Sequence, residues 1–309
     1  MGKYIVRRLL LMIPVLLGTT FLIYVMVFAL PGDPTDNKCG ERPCSPAYIA
    51  AFRDKYNLDD PLPIQYFKYM GNLLQGDFGT TQRDVPVIDD IIARYPTTLK
   101  LALMALVIQV VIGILAGVLS GVRKGKFIDQ VVLVSTLFVI SVPIFVIGST
   151  SQLVLGLQLG LFPISVPTRD ASLFDFVLPA FVLASASVAY IARLTRTNLV
   201  DNLRADYVRT AKAKGLTRGR TVGIHTLRNS MIPVITFIGY DLGALLGGSI
   251  VTERIFNING VGGYLFRAIP AQDGVAIVGT VTIAVLIYLL VNLLVDLLYG
   301  VLDPRISHE

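Results

Sequence analysis

Between Gln130 and Thr168 the chain runs for 39 residues without one Asp, Glu, Lys or Arg. A soluble element of that length would have to show water a polar face, and this one has none to show. Lipid permits such a stretch and asks for about 20 apolar residues per helix. Leu9–Leu30 and Leu101–Val122 have the same character, each 22 residues without a charge. Backbone groups in lipid must bond within their own segment, and the short alternating segments of a barrel are missing. The expectation is an all-α polytopic membrane protein.

Six transmembrane helices are predicted. The first three lie in the runs just named, the third within Gln130–Thr168. That run is longer than one helix needs, so Pro143 predicts a kink and Gly156–Pro163 a re-entrant or interfacial return near residues 153–164. The rest are expected near Phe176–Ala192, Asn229–Val251 and Gly274–Leu298. Basic residues then set the orientation. Lys3, Arg7 and Arg8 precede the first span, and Arg123, Lys124 and Lys126 follow the second. The link between spans four and five holds nine: Arg193, Arg196, Arg204, Arg209, Lys212, Lys214, Arg218, Arg220 and Arg228. The alternate links hold only Arg169, and Arg254 with Arg267. Rich and poor links alternate as a multi-pass protein with both termini cytoplasmic requires. The net charge of +6 is therefore a topology signal and does not point to nucleic acid.

Three regions are expected: 1–30, a cytoplasmic N-terminus and first span; 31–96, a small helical external segment; and 97–309, a core with a cytoplasmic coupling loop at 192–228. In the external segment Ser45-Pro46 reads as a helix start, with Ser as cap and Pro at the first helical position. Pro63–Gln75 and Val87–Tyr95 read as two further short helices. Cys39 and Cys44, the only cysteines, are expected to form a disulfide there, outside the reducing compartment.

Enzymatic chemistry is missing. No G-x-x-x-x-G-K-[ST] loop is present to cradle ATP phosphates, and no G-x-S-x-G nucleophile elbow. Two histidines and two cysteines give no metal site and no catalytic residue is assigned. Asp241, mid-way along span five, and Asp296, near the end of span six, are the ionisable residues inside apolar runs. An intramembrane carboxylate marks a functional site by default; for Asp241 the competing reading is a hydrogen bond within the helix bundle. Gly113, Gly117 and Gly121 form a small-residue stripe on span two, read as tight packing inside the subunit. Gly239, Gly243 and Gly247 form another on span five. With Asp241 they are the candidates for a translocation path or subunit interface.

The stretch Asp201–Asn229 reads DNLRADYVRTAKAKGLTRGRTVGIHTLRN. A helix is predicted over Tyr207–Lys214, stopped by Gly215, with a second helical stretch through His225 towards Pro233. It could be a basic loop that fixes topology or binds anionic headgroups. Its helix–Gly–helix order points instead to a docking element. Arg209-Thr210-Ala211-Lys212-Ala213-Lys214-Gly215 resembles the E-A-A-x-x-x-G docking motif of ABC-importer permeases, with Arg for Glu and Thr for the first Ala. The fuller ADYVRTAKAKGL, the H-x-L-R-N-S-x-I-P-V that follows, RRLLLMIPVLLG, LPGDP at Leu30–Pro34, ERIFNINGVGG at Glu253–Gly263 and NLLVDLLYGVLDPRI at Asn292–Ile306 resemble the dipeptide/oligopeptide branch of that family.

The resemblance implies a prokaryotic plasma-membrane permease subunit for di- or oligopeptides. Its partners would be a second homologous permease, two ATP-binding subunits and an external solute-binding protein. This chain would hold no cofactor, ATP and Mg residing on the ATPases. Docking would fall to Asp206, Tyr207, Val208, Arg209, Thr210, Ala211, Lys212, Ala213, Lys214, Gly215 and Leu216, with apolar contacts from Tyr207, Val208, Ala211 and Leu216. Relatives carrying glutathione, nickel or haem are the alternative. A stand-alone secondary transporter would show inverted repeats or several buried charges, which are not found.

Overall fold

The structure, a computed structural model, describes residues 2–29, 44–81 and 84–302. It is 78% helical, with no strand among the described residues. Among the described residues five helices are long and apolar enough to cross a membrane, and one bent pair makes a sixth candidate.

The elements follow in order. α1 (Gly2–Phe28) is the first candidate span, and α2 (Pro46–Lys55) and α3 (Leu62–Leu74) are short. Ser45 caps α2 as its sequence requires, its Oγ accepting from the Tyr48 N–H at 3.3 Å. α4 (Val87–Val122) is one 36-residue helix. The separate external helix expected at Val87–Tyr95 is therefore wrong in one respect, because it runs straight on through Pro96. At 1.5 Å per residue α4 is about 54 Å long, well beyond the ~30 Å of a hydrocarbon core. Burial explains the continuity: Val87 and Ile91 lie in a core with Val261, Tyr264 and Val275. That packing fixes the turns leading up to the one hydrogen bond that proline removes.

α5 (Phe127–Ser141) and α6 (Ile144–Ser151) meet at a 100° bend around Pro143, and α6 continues into a π-helical stretch, Gln152–Gln158. The kink falls where the proline predicts it. Gln152 fixes the return, its amide donating to the carbonyl of Ile255 at 3.1 Å. α7 (Val177–Asn202) runs ten residues beyond the expected end of span four. α8 (Asp206–Ala213) is the short helix of the basic segment. α9 (Arg218–Arg220) leads through a π-helical stretch, Thr221–Thr226, into α10 (Leu227–Leu246). α10 ends five residues before the expected limit of span five. α11 (Ile250–Ile255), α12 (Val261–Ala268) and α13 (Gly274–Leu302) complete the order.

The chain forms two compact units. One comprises Met1–Thr98, Leu246–Ile250 and Asn259–Glu309; the other comprises Leu99–Leu245 and Val251–Ile258. In the first, α1 packs along α13, and α3 lies against α1. Tyr66 donates to the carbonyl of Leu17 at 3.0 Å, and Tyr69 to Thr282 Oγ1 at 3.2 Å. Burial pushes the Tyr69 hydroxyl up to about 12, so it stays a donor. Arg8 Nε donates to Asp296 Oδ2 at 2.5 Å, which gives the span-six carboxylate a partner on α1. Gly262 permits a backbone crossing: a Cβ there would lie 2.8 Å from the nitrogen of Ile250. Gly248 turns the chain at that crossing with φ +102°.

In the second unit the glycine stripe of α4 faces α7. A Cβ on Gly113 would meet Ile191 Cβ at 2.7 Å, one on Gly117 would meet Thr195 Cβ at 2.5 Å, and one on Gly121 would meet Leu199 Cδ2 at 3.0 Å. Three glycines one turn apart let the two backbones approach as no larger residue would. α7 also packs along α5 and α6.

Candidate functional site

α8 forms for local reasons. Asp206 in its first turn suits the positive end of the helix dipole. The carbonyl of Ala205 accepts from the N–H of Val208 at 3.0 Å, and Thr210 Oγ1 donates to the carbonyl of Asp206 at 3.1 Å. The stop is a Schellman turn. Gly215 takes φ +79°, and the N–H of Leu216 reaches back to the carbonyl of Ala211 at 3.2 Å. The helix ends at Ala213, so Gly215 lies just past it, as the stop the sequence predicts.

Val208 and Tyr207 hold α8 to its own subunit. Val208 is fully buried, and α8 packs on the Thr221–Thr226 stretch. The outward apolar contact expected of Val208 is thus replaced by an inward anchor. Tyr207 donates through its hydroxyl to Asn202 Oδ1 at 2.8 Å, linking α8 to the last turn of α7. Tyr207, Arg209, Thr210, Ala213, Lys214 and Gly215 are exposed, while Ala211 and Leu216 are half-buried. A charge pair on this face, Arg209 with Asp206 at 3.6 Å, is almost fully solvated. Pairs of that kind contribute little, so α8 presents a short basic and small-residue face that the subunit itself does not use.

Asp241 sits on α10 and is held inside the unit. Gln109 on α4 donates its amide to Asp241 Oδ2 at 2.6 Å, and Ser187 on α7 donates to Oδ1 at 3.1 Å. Each carboxylate oxygen thus has a donor from a different helix, the arrangement of the bundle reading. Sequence reasoning missed both partners, although Gln109 is a lone amide in an apolar run and gave a usable signal. Of the span-five stripe, Gly243 is buried, Gly239 is half-buried, and Gly247 lies just beyond the end of α10. Cys44 is described but Cys39 lies outside the described residues, as does the whole LPGDP motif, Leu30–Pro34. No group of three or more His, Cys, Asp or Glu side chains suited to a metal occurs among the described residues.

Fold and segment together define a class: a polytopic helical membrane protein that offers a short, solvent-facing helix between two of its spans. Within that class, the chain belongs to the family described as binding-protein-dependent transport system inner membrane component. Residues 109–308 match that family, and residues 1–102 match its N-terminal companion. Among curated relatives, the oligopeptide transport system permease protein AppB of Bacillus subtilis is 38% identical over the full length of both chains. The dipeptide transport system permease protein DppB of Escherichia coli K12 and the di/tripeptide permease DppB of Pseudomonas aeruginosa are each 36% identical, again over the full length of both chains.

Proposed function

We propose that this chain is a permease subunit of an ATP-driven importer of di- or oligopeptides. The observation that carries the substrate class is the full-length likeness to three permeases named for peptides. The chain pairs with a second homologous permease, and an external solute-binding protein delivers the peptide. Two ATP-binding subunits supply the energy and carry the ATP and Mg. The second and fourth links face the cytoplasm with both termini, as the basic residues ask.

α8 is the docking element for one ATPase. Its exposed face, from Tyr207 to Gly215, enters the partner, while Val208 keeps the helix attached to the permease. An ATPase drives alternating access only by contacting the inward- and outward-facing states differently. A helix fixed at one face and free at the other suits that task. Asp241 serves the path by tying α10 to α4 and α7 beside it, and Cys39 and Cys44 staple the external loop.

Two measurements test this reading. The ATPases should co-purify with the permease pair from detergent in equal number, and mass spectrometry of the binding protein should find retained short peptides. A binding protein loaded with a metal chelate or haem, and no peptide, would overturn the substrate. A permease pair that never retains an ATPase would overturn the whole assignment.

A further inference from the structure

The carboxylate of Asp129, in the first turn of α5, is almost fully buried. Four donors converge on it. Arg196 Nε reaches Oδ1 at 2.5 Å, and Arg196 Nη2 reaches Oδ2 at 2.8 Å. The N–H of Gly125 reaches Oδ2 at 2.7 Å, and Ser120 Oγ donates to Oδ1. Ser120 belongs to the last turn of α4, Gly125 to the turn before α5, and Arg196 to α7. One side chain therefore gathers the ends of three helices. Arg193, one turn earlier on the same face of α7, adds a second stitch by donating from Nε to Thr136 Oγ1 of α5 at 3.1 Å.

Helix-end capping alone does not call for this. The bond from Gly125 would satisfy the start of α5, and a buried ion pair is often no more stabilising than apolar residues of the same size. What the pair adds is a fixed, two-pronged geometry that a planar guanidinium imposes. Its position along α7 gives that rigidity a use. Six residues beyond Arg196, Asn202 accepts from Tyr207 of α8, and the backbone carbonyl of Asn198 accepts from Ser230 Oγ at 3.2 Å, which draws in α10. A displacement of α8 is thus passed to α7 by Tyr207–Asn202, and from α7 to α4 and α5 by Arg196–Asp129.

We infer that Asp129 and Arg196 are positioning residues for energy coupling, whose ion pair makes the α8-proximal ends of α4, α5 and α7 move as one body when an ATPase moves α8. The inference rests on the docking reading of α8. Without the pair, α8 moves while α4 and α5 lag, and ATP is hydrolysed without the membrane helices completing their rearrangement.

The test is peptide accumulated per ATP hydrolysed, measured in proteoliposomes holding the complete importer. The variants are Asp129→Asn, Arg196→Gln, the pair Asp129→Asn/Arg196→Gln, and the conservative Arg196→Lys. The double variant leaves no orphaned buried charge, so it assembles even where a single one fails. The first three should lower the ratio at least about five-fold, the lower end of ordinary coupling effects, with ATPase activity retained. Arg196→Lys should recover the ratio only in part, because an ammonium keeps the charge and one charge-assisted bond but loses the two-pronged geometry. A wild-type ratio in the double variant overturns the inference. So does a parallel loss of hydrolysis and uptake in every variant, since a merely structural pair would move both together. ATPase binding by the unaltered complex separates the two failures: if it is present and the ratio holds, only this inference falls; if it is absent, the docking reading falls and takes this one with it.

Discussion

Arg196 and Arg209 belong to one basic segment, thirteen residues apart, and face opposite ways. Arg196 turns into the subunit and closes on a buried carboxylate. Arg209 stands in solvent beside an equally solvated aspartate. Their charge is the same and their sequence surroundings are similar. The difference is the helix each sits on: α7 is crossed closely by α4 and flanked by α5, whereas α8 touches its own subunit on one side only. A basic segment beside a membrane is therefore two things at once, an internal fastening and an external face, and composition cannot separate them.

The comparison breaks first at the crossing that holds α7. Gly117→Val would place a branched side chain 2.5 Å from Thr195 Cβ and 2.6 Å from the carbonyl of Ala192. Overpacking of this kind costs ~1–3 kcal/mol, and more where a backbone must shift. Folded protein recovered after detergent extraction should fall sharply, as size-exclusion chromatography would show. Gly18→Ala on α1 has nothing within 4 Å and should leave the yield unchanged. Equal yields from the two variants would deny that the α4–α7 approach matters.

The turn after α8 should respond more mildly. Gly215 takes φ +79° but has open space around it, so Gly215→Ala meets backbone strain and no clash. The left-handed conformation costs an L-residue about 1–2 kcal/mol. Faster hydrogen exchange confined to α8, with an unchanged melting temperature, is the expected result. A global loss of stability would mean that α8 is more deeply built in than Val208 and Tyr207 make it.

Salt should sharpen the contrast further. Exposed charges more than about 10 Å apart are screened at 0.1 M, and buried pairs much less. ATPase retention on the permease should weaken as salt rises, while the permease's own melting temperature holds. Smallest of all is Arg209→Ala, which should leave folding unaltered and weaken only ATPase binding. A measurable drop in melting temperature for that variant would place Arg209 inside the subunit's own structure.

Much of this fold is legible in the sequence because lipid makes unusual demands. Charge-free runs locate the spans, Pro143 locates the bend, and the Ser45-Pro46 start is capped as its residues dictate. Legibility fails where tertiary packing overrides a local signal. Pro96 reads as a boundary, yet Val87 and Ile91 are buried deeply enough to carry α4 through it. Arg193 and Arg196 read as loop, yet they are helix interior because α5 supplies their acceptors. Span five reads as longer than α10, because its end is set by the Gly248–Gly262 approach and not by hydropathy. In the candidate site, the helix and its glycine stop follow from composition and spacing. The inward turn of Val208 does not, since a single valine in a basic segment carries no mark of which side it will face.

On the proposed docking, α8 has an inner and an outer face, and the ATPase meets the outer one. Single cysteines at Arg209, Ala213 and Val208, in a Cys39→Ser/Cys44→Ser background, test it in the assembled importer. With a short bifunctional thiol–amine reagent, Arg209→Cys and Ala213→Cys should cross-link to the ATPase, and Val208→Cys should not. No cross-link from either exposed position, or an equal yield from Val208→Cys, would contradict the claim.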